Sequence, residues 1–502
     1  MTQVNAVGGV YDVVIVGGGP VGLLVSNELA LHGVSAIVLE QRDSVSEHPR
    51  AGTYHARAVA SLTRRGILGM PRRTTDHRVV ATEPFQFAGY PWITLRSRLI
   101  DGPVMLGIAQ ADLERAIAVR AAASGAGILR GHTVVGVEQD GDGARVVAVG
   151  PDGSVAEYRA RYVVGADGAR SVVRESGEFD VREYQPTMRA MLGLVDVPRP
   201  EQLPAGWAGT PRGWTLLNYN PYGASRLIVF EFDGPTPDRG APVTPGEFRE
   251  AVNRVAGTPV DLVSPRNLSR FSDYSRVASR YRDGRMFLAG DAAHIHYPLG
   301  GQGLNAGIDD AVNLGWKLAA VVTGAAGDGL LETYGTEREP VGRWLIDNTR
   351  LQAMLMNPGA AWDPLRDVVR SWLAQLGPHD WVADRINGTA LRYGPGGAGA
   401  RPFEGEFLPD FELRVDGETV SVSRLLHSAH LLVLVPDAVL DRVRAVVRGP
   451  IVRPVPVAGG IPAGYPDIIV VRPDGYVAWT GGVDDLDGMR DHLARRYALR
   501  LG

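Results

Sequence analysis

The sequence contains no cysteine among its 502 residues. Disulfide bonds, thiolate metal sites, cysteine nucleophiles and dithiol redox chemistry are therefore excluded. Lysine is nearly absent too, because Lys317 is the single lysine among 52 basic residues. No apolar run reaches the roughly 18 residues of a membrane-spanning helix, and the first residues lack a basic segment followed by an apolar one. We therefore expect a soluble, cytoplasmic protein.

Neither sign of charge dominates the chain, since it contains 52 Lys and Arg residues and 56 Asp and Glu residues. The resulting net charge of −4 favours neither nucleic acid nor an anionic membrane as a partner. Hydrophobic residues make up 45% and charged residues 22%, which is typical of globular proteins and excludes extended disorder. The length predicts about three domains. The oligomeric state, including a homodimer, is left open.

The N-terminal region has the pattern of a strand–helix–strand unit. Residues 13–16 form a continuous apolar run, as a parallel strand buried on both faces requires. Residues 23–32 have helical periodicity and stop at Gly33, and residues 34–39 form a second apolar run that ends at Glu40. This order predicts a βαβ unit.

The first glycine motif lies between that strand and that helix, with glycine at positions 17, 19 and 22. Gly17 permits a tight turn, Gly19 lets the backbone approach a pyrophosphate, and Gly22 permits close packing of helix on strand. Glu40 lies 18 residues beyond the last glycine, where an acid can bind a ribose diol. Glycines alone also occur in ordinary tight turns, but this context predicts a nucleotide site for either FAD or NAD.

A second glycine-rich region favours FAD. Residues 286–289 form a buried strand that runs into Gly290 and Asp291, and residues 298–305 open a long helix that we expect to begin near Leu304. The acid can accept hydrogen bonds from a sugar. The helix N-terminus suits the N1–C2=O edge of a flavin, which gains negative charge on reduction. An NAD dehydrogenase does not need this second region.

Composition shifts divide the rest of the chain. Alternating, aromatic-rich segments in residues 180–275 predict an antiparallel sheet. The glycine-rich residues 393–400 are predicted to form a linker. The last hundred residues carry their own strand and helix patterns. We predict one discontinuous unit over 1–180 and 275–392, a sheet unit over 181–274 and a C-terminal unit over 401–502.

In order and spacing, these motifs resemble those of the class A FAD-dependent aromatic hydroxylases with the p-hydroxybenzoate hydroxylase fold. The resemblance covers essentially the whole chain and is closest to the branch that oxygenates angucycline-, anthracycline- and tetracycline-type polyketides. The family's middle motif, used for FAD and NADPH, matches residues 165–171 with Asp167 as its acid, followed by Val173 and Arg174. The resemblance implies an α/β fold: a Rossmann-like FAD-binding domain, an inserted antiparallel-sheet substrate domain and a C-terminal thioredoxin-like domain. Without cysteine, that last domain can serve only structure or assembly.

The resemblance also implies site residues. The expected cofactor-binding residues are Gly17, Gly19, Pro20, Gly22, Glu40, Gln41, Arg42, Arg50, Gln110, Asp167, Asp291, Gly303, Leu304 and Asn305. Gln41 departs from the usual arginine, and Arg42 beside it is the expected substitute. Residues expected at the reacting edge of the flavin are Arg57, Pro298, Gly300 and Gly301. Candidates for the substrate pocket are Trp214, Tyr219, Tyr222, Phe230 and His296, and we expect at least one of the four aromatic residues to line it. His294 and His296 have no nearby third ligand, so no metal is expected.

The implied function is an FAD-dependent, NAD(P)H-consuming monooxygenase of antibiotic biosynthesis. It would hydroxylate a polycyclic aromatic polyketide with O₂ through a C4a-hydroperoxyflavin shielded from water. Because the chain has no separate nicotinamide domain, NADPH is expected to bind transiently. Two alternatives stay open: Baeyer–Villiger oxygenation of the same substrate class, and a flavin-binding module without turnover.

Overall fold

The computed structural model describes residues 6–48, 51–69, 80–81, 84–97, 102–232, 241–375, 381–394 and 401–501. Arg50 and most of the predicted linker, residues 395–400, lie outside the described residues. Within these ranges no helix has both the length and the apolar character needed to cross a membrane.

The strands of the first half of the chain include the predicted βαβ pair, β1 and β2. They are β1 Ala6–Val16, β2 Ala36–Glu40, β3 Thr53–His55, β4 Val80–Ala81, β5 Phe85–Phe87, β6 Tyr90–Ile93, β7 Arg96–Ser97, β8 Met105–Gly107, β9 Gly127–Arg130, β10 Thr133–Gln139, β11 Ala144–Val149, β12 Val155–Gly165, β13 Val181–Tyr184, β14 Arg189–Asp196, β15 Gly206–Thr210, β16 Gly213–Asn218 and β17 Ser225–Glu231. The strands that follow are β18 Val263–Ser272, β19 Ser275–Ala278, β20 Arg282–Asp283, β21 Met286–Leu288, β22 His294–Ile295, β23 Glu412–Val415, β24 Glu418–Ser421, β25 Leu431–Pro436, β26 Val452–Val457, β27 Ile468–Val471 and β28 Val477–Gly481.

The α-helices alternate with these strands at first, α6 to α9 then follow one another, and helices and strands alternate again after residue 401. They are α1 Pro20–Ala30, α2 Ala56–Thr63, α3 Gln110–Ala123, α4 Val172–Ser176, α5 Pro245–Ala256, α6 Gln302–Val322, α7 Gly329–Met356, α8 Asp363–Gln375, α9 Trp381–Ile386, α10 Val422–Leu425, α11 Leu440–Val446 and α12 Leu486–Tyr497.

The main sheet has a parallel centre in the order β9-β2-β1-β12-β21, and antiparallel β11 and β10 extend it beside β12. Val13, Val14 and Ile15 of β1 are fully buried, as their uninterrupted apolar run predicts. Helix α1 packs against α3 and α6. Because the central strands are parallel and adjacent, their carboxyl ends share one edge of the sheet.

The predicted antiparallel sheet is present, with the order β15-β16-β17-β14-β18. Alternate side chains of β17 belong to two different apolar clusters, one on each face of this sheet. Leu227 and Val229 belong to an apolar cluster with α5, whereas Ile228 and Phe230 belong to a second cluster that includes Tyr297 and residues of α7. We call the side that carries Ile228 and Phe230 the inner face, because it is turned toward the rest of the protein.

The C-terminal unit contains a sheet in the order β26-β25-β27-β28. Strands β25 and β26 are parallel, while β27 runs antiparallel to both β25 and β28. Leu431, Val433 and Val435 of β25 join the main core, and Leu432 and Leu434 face a separate cluster. The unit is therefore fused to the main sheet by a shared apolar core.

Candidate active site

Four segments predicted to bind a nucleotide meet at the carboxyl edge of the main sheet. Gly17 directly follows β1, Glu40 ends β2, Asp167 comes two residues after β12, and Asp291 comes three residues after β21. These four strands lie side by side in the order β2-β1-β12-β21 and all run parallel. The edge where they end is the usual ligand site of such sheets.

The glycine turn leaves room above the start of α1. Gly17 has a φ of +101°, and a Cβ there would lie 2.4 Å from the carbonyl oxygen of Ala166. A Cβ on Gly22 would lie 1.9 Å from the carbonyl oxygen of Gly17, which confirms that this glycine permits close packing. A Cβ on Gly19 would meet nothing within 4 Å. With Pro20 as the first residue of the helix, the N-terminus of α1 fits a pyrophosphate.

Glu40 is buried and fixed against the glycine turn. Its Oε2 accepts a hydrogen bond of 2.7 Å from the Gly18 N–H, and its Oε1 accepts one of 2.9 Å from the Arg42 N–H. The Arg42 side chain lies 3.7 Å from the same carboxylate, whereas Gln41 is exposed. The carboxylate is thus held at the strand end, with Arg42 as its neighbouring cation.

The middle motif connects the segments that follow β12 and β21. Asp167 Oδ2 accepts a hydrogen bond of 2.7 Å from the Val172 N–H, and its buried Oδ1 has no hydrogen-bond partner among the described residues. Burial raises the pKa of Asp167. Arg174, itself buried, donates from Nη1 to the carbonyl oxygen of Ala292 at 3.1 Å. Asp291 beside it is exposed, as a residue that contacts a ligand would be.

The third motif forms a turn and then opens α6. Gly300 and Gly301 have φ values of +70° and +66°, which side chains with a Cβ rarely adopt. Helix α6 begins at Gln302, two residues before the predicted start near Leu304, and its first turn holds no acidic residue. Its first N–H groups, those of residues 302–304, therefore form an uncompensated positive helix end.

His55, which belongs to none of the predicted motifs, fixes this turn. His55 Nε2 donates to the carbonyl oxygen of Gly300 at 2.7 Å, and the His55 N–H donates to Asn305 Oδ1 at 2.7 Å. Asn305 Nδ2 in turn donates to the carbonyl oxygens of Gly301 at 2.7 Å and Thr53 at 3.0 Å. No local pattern marks His55, because its partners lie about 245 residues away along the chain.

The two histidines before this turn have separate surroundings. His296 donates from Nδ1 to the Tyr297 carbonyl oxygen at 2.6 Å, and burial lowers its pKa to about 4, so the ring is neutral at pH 7. Its Nε2 lies against Gly303, where a Cβ would come within 2.3 Å. His294 instead contacts Asp310 Oδ2 at 2.9 Å. Burial opposes ionisation of Asp310, but the charge of Arg338 and the contact with His294 lower its pKa to about 2.

Another expected cofactor residue, Gln110, opens α3. Its backbone N–H donates to the carbonyl oxygen of Ala51 at 3.1 Å, and its Oε1 accepts from the Ala51 N–H at 3.3 Å. Gln110 thus holds the residues that directly follow Arg50, which lies outside the described residues.

The inner face of the antiparallel sheet carries two of the predicted pocket residues. Trp214 and Phe230 are 5% and 2% exposed, and the ring of Phe230 lies 6.3 Å from that of Tyr297, immediately before Pro298. Trp214 Nε1 donates to the carbonyl oxygen of Met356 at 2.7 Å. Tyr219 and Tyr222 are 41% and 97% exposed because they lie in the connection between β16 and β17, so the expectation that at least one of the four aromatic residues lines the pocket rests on Trp214 and Phe230.

Arg57 was predicted to contact the edge of the flavin ring, but its side chain points elsewhere. Its guanidinium donates to Ser61 Oγ at 2.5 Å and to the Asp474 carbonyl oxygen at 3.0 Å, and it lies 3.6 Å from Asp309. It also lies 3.8 Å from the centre of the Phe407 ring. Helix α2 therefore points Arg57 into the junction with the C-terminal unit.

Comparison with known proteins agrees with this geometry. A family described as FAD binding domain matches residues 10–349, and one described as aromatic-ring hydroxylase, C-terminal, matches residues 401–498. The chain is 36% identical to a 12-dehydrotetracycline 5-monooxygenase/anhydrotetracycline 6-monooxygenase of Streptomyces rimosus, over 96% of this chain and 98% of that one. It is 36% identical to a dialkyldecalin synthase of Streptomyces rugosporus, over 95% and 97% of the two chains. The solved structure of CabE, an aromatic hydroxylase from angucycline biosynthesis, matches with a TM-score of 0.85 and 33% identity, over 98% of this chain and all of that one.

Proposed function

The chain belongs to the FAD-dependent aromatic-ring hydroxylases, and from this premise we propose that it hydroxylates a polycyclic aromatic polyketide in antibiotic biosynthesis. It is a flavoprotein monooxygenase that takes FAD as cofactor and NADPH as co-substrate. The observation that carries the proposal is the meeting of the four motif segments at one sheet edge, with the inner face turned toward the third motif.

The residues at the sheet edge fit FAD. In our proposal the N-terminus of α1 and Gly19 bind the pyrophosphate, Glu40 binds the adenosine ribose, and Asp291 binds a more distal hydroxyl group. The open space above Gly19 and the buried Oδ1 of Asp167, which has no partner among the described residues, support this assignment. When bound, FAD accepts electrons from NADPH and activates O₂.

The chain's own contribution to the reaction is positioning and charge. Gly300 and Gly301 present no Cβ toward a flat ring, and the first N–H groups of α6 stabilise negative charge that forms beside them. His55 and Asn305 hold this turn in place through their four hydrogen bonds. Trp214, Phe230 and Tyr297 exclude water from the opposite side, and a neutral His296 adds no competing charge.

The substrate class rests on the inner face and on the relatives. Its aromatic side chains suit a flat, apolar molecule, and Trp207 stacks on Phe230 with ring centres 5.4 Å apart. A relative that matches nearly end to end acts by name on anhydrotetracycline, and a solved structure of the same fold comes from angucycline biosynthesis.

We also propose the predicted domain boundaries: FAD domain 1–180 and 275–392, sheet domain 181–274, and thioredoxin-like domain 401–502. The two matched ranges, 10–349 and 401–498, support a boundary before residue 401. The strand order β26-β25-β27-β28, with a parallel first pair and an antiparallel hairpin, supports a thioredoxin-like arrangement.

The decisive experiment is product mass spectrometry after turnover with NADPH and ¹⁸O₂. The substrates are a panel of hydroxylated anthraquinones, anthracyclinones, angucyclinones and anhydrotetracyclines. We expect one ¹⁸O atom in a product whose ring system is intact. One ¹⁸O atom in a lactone would identify Baeyer–Villiger oxygenation instead, and FAD that NADPH never reduces would identify a binding module.

A second candidate function is favoured by the similarity to a dialkyldecalin synthase. The same scaffold could promote a ring-forming reaction that consumes no NADPH. Conversion of a linear polyene by the FAD-loaded protein without NADPH and without O₂ would support this candidate. A strict dependence of product formation on both would support the hydroxylase.

A further inference from the structure

A cleft of about 500 Å³ lies at the amino edge of the main sheet, opposite the edge where the four motif segments meet. Arg285, which lines the cleft, immediately precedes β21, whereas Asp291 follows that strand. Helix α6 begins at the third motif, and Val321 and Val322 at its other end line the cleft. The 21 residues of α6 span about 30 Å, so the cleft is remote from the candidate flavin site.

The cleft is lined by more cationic than anionic side chains. Asp328 supplies the one carboxylate among the described lining residues, and the guanidinium groups are those of Arg161, Arg282, Arg285 and Arg500. Arg282 donates to both carboxylate oxygens of Asp328, at 3.0 and 2.8 Å, and to Glu332 at 2.7 Å. Arg161 lies 3.5 Å from Asp12 and donates at 3.0 Å to the carbonyl oxygen of the last residue of α6. These two arginines are therefore compensated by protein groups, and the negative end of α6 is capped.

The other two arginines of the cleft make no ion pair among the described residues. Arg285 donates to the carbonyl oxygen of Gly141 at 3.0 Å, and its guanidinium lies 5.4 Å from the centre of the Tyr162 ring. Arg500 is exposed, and its backbone N–H donates to the carbonyl oxygen of Ala325 at 2.8 Å. The end of the C-terminal unit is thus fixed beside the connection between α6 and α7. Two uncompensated cations from distant parts of the chain therefore share one cleft, where an anion would stabilise both.

We propose that this cleft binds the phosphate group of a small phosphorylated molecule, with Arg285 and Arg500 as its cationic ligands. A guanidinium binds two oxygens of a phosphate at once, and a phosphate monoester carries nearly two negative charges at neutral pH. The volume of the cleft falls in the range of small-molecule sites, so an organic group has room beside the phosphate. The proposal goes beyond the hydroxylase function, because no step of that reaction involves this cleft.

The test is calorimetric titration of the FAD-loaded protein at neutral pH in a buffer that contains chloride and no phosphate. The probes are ribose 5-phosphate, inorganic phosphate and ribose. We expect ribose 5-phosphate to bind at one site and ribose not to bind. Arg285→Gln and Arg500→Gln should each weaken ribose 5-phosphate about tenfold, the lower end of what a hydrogen bond between charged groups contributes, because the cleft is open to solvent.

Inorganic phosphate distinguishes the two sources of a phosphate group. Weaker binding of inorganic phosphate than of ribose 5-phosphate would support a site for a phosphorylated metabolite. Equal affinities, with the same losses in the two variants, would support a site for free phosphate.

The matched control is Arg453→Gln, which removes an exposed arginine on β26 of the C-terminal unit. This variant loses the same charge and should bind ribose 5-phosphate like the wild type, and circular dichroism checks that all three variants are folded. An equal loss of affinity in Arg453→Gln would reduce the site to general surface charge and an adventitious ion only. Unchanged affinity in both Arg285→Gln and Arg500→Gln, or no binding by the wild type at millimolar ribose 5-phosphate, would overturn the inference. None of these results depends on whether the protein hydroxylates a polyketide.

Discussion

Glu337 on α7 and Arg472 at the end of β27 are joined by two hydrogen bonds of 2.7 Å, one to each carboxylate oxygen. Glu337 also accepts a hydrogen bond of 2.8 Å from Lys317, the only lysine of the chain. Burial opposes ionisation of Glu337, but these two cations hold its pKa below the ordinary range. Arg472 further contacts Asp474, whose Oδ2 accepts from the indole of Trp316 on α6. These contacts attach the C-terminal unit to α6, the helix whose N-terminus faces the candidate flavin site.

The first prediction concerns this junction. Glu337→Gln leaves Lys317 and Arg472 buried with less compensating charge, so the free energy of unfolding should fall by about 3–5 kcal/mol in urea denaturation. The control is Glu332→Gln, which breaks an exposed pair with Arg282 and should cost less than about 1 kcal/mol. Equal losses in the two variants would contradict a structural role for the buried pair.

The second prediction separates two glycines of one motif. Gly19→Val should give a folded protein without yellow colour, because a Cβ there meets nothing within 4 Å but the side chain occupies the space needed by the pyrophosphate. Gly22→Val should instead fail to fold, since its Cβ would lie 1.9 Å from a backbone oxygen. The measurements are circular dichroism and the ratio of FAD to protein. Stoichiometric FAD in Gly19→Val would refute the assignment.

The third prediction concerns Asp291. Loss of a hydrogen bond between this carboxylate and a sugar typically costs 1.5–3 kcal/mol, or roughly ten- to a hundredfold in affinity. Asp291→Ala should therefore weaken FAD binding in a fluorescence titration without unfolding the protein. Asp484→Ala, which removes an exposed acid of the C-terminal unit, is the control and should bind FAD like the wild type. Unchanged affinity in Asp291→Ala would remove its proposed role.

The fourth prediction concerns the turn before α6. Gly301→Leu should displace the flavin from the helix N-terminus, lower its two-electron potential by tens of millivolts and slow its reduction by NADPH. A helix end contributes about 0.3–2 kcal/mol to a nearby anion, and ~30 mV corresponds to about 1.4 kcal/mol. Gly324→Leu imposes comparable strain, at a φ of +77°, just beyond the C-terminal end of α6 and should leave the potential unchanged. A folded, FAD-loaded Gly301→Leu with the wild-type potential would contradict the proposal.

The fifth prediction concerns the stability of the protein at acidic pH. Burial, together with the nearby ring of His430, lowers the pKa of His32 from 6.5 to about 4. Between those two values the unfolded chain binds more protons than the folded one, so stability falls as the pH decreases from 6.5 toward 4. The loss attributable to His32 should reach about 2 kcal/mol at pH 5. His32→Gln should flatten this dependence in urea denaturation, and an unchanged dependence in that variant would contradict the prediction.

The sequence by itself determined which residues lie at the carboxyl edge of the main sheet. Apolar runs such as residues 13–16 specify buried strands, and the glycines that follow them are required by local backbone geometry, so both can be identified within a few residues. The position of Glu40 at a strand end follows from the same short-range pattern. Through their resemblance to the motifs of a known family, three such segments in order predicted the cofactor and the reaction class, which the comparisons confirm.

The tertiary structure alone decided which side chains reach the site. Arg57, predicted at the ring edge, points into the junction with the C-terminal unit, and His55, which no motif marks, fixes the turn at Gly300. Tyr222 is exposed because the pairing of β16 with β17 places it in the connection between the two strands. Pairs such as Glu337 with Arg472 join residues 135 positions apart. Contacts at that range depend on how whole elements pack, and local sequence patterns do not specify such packing.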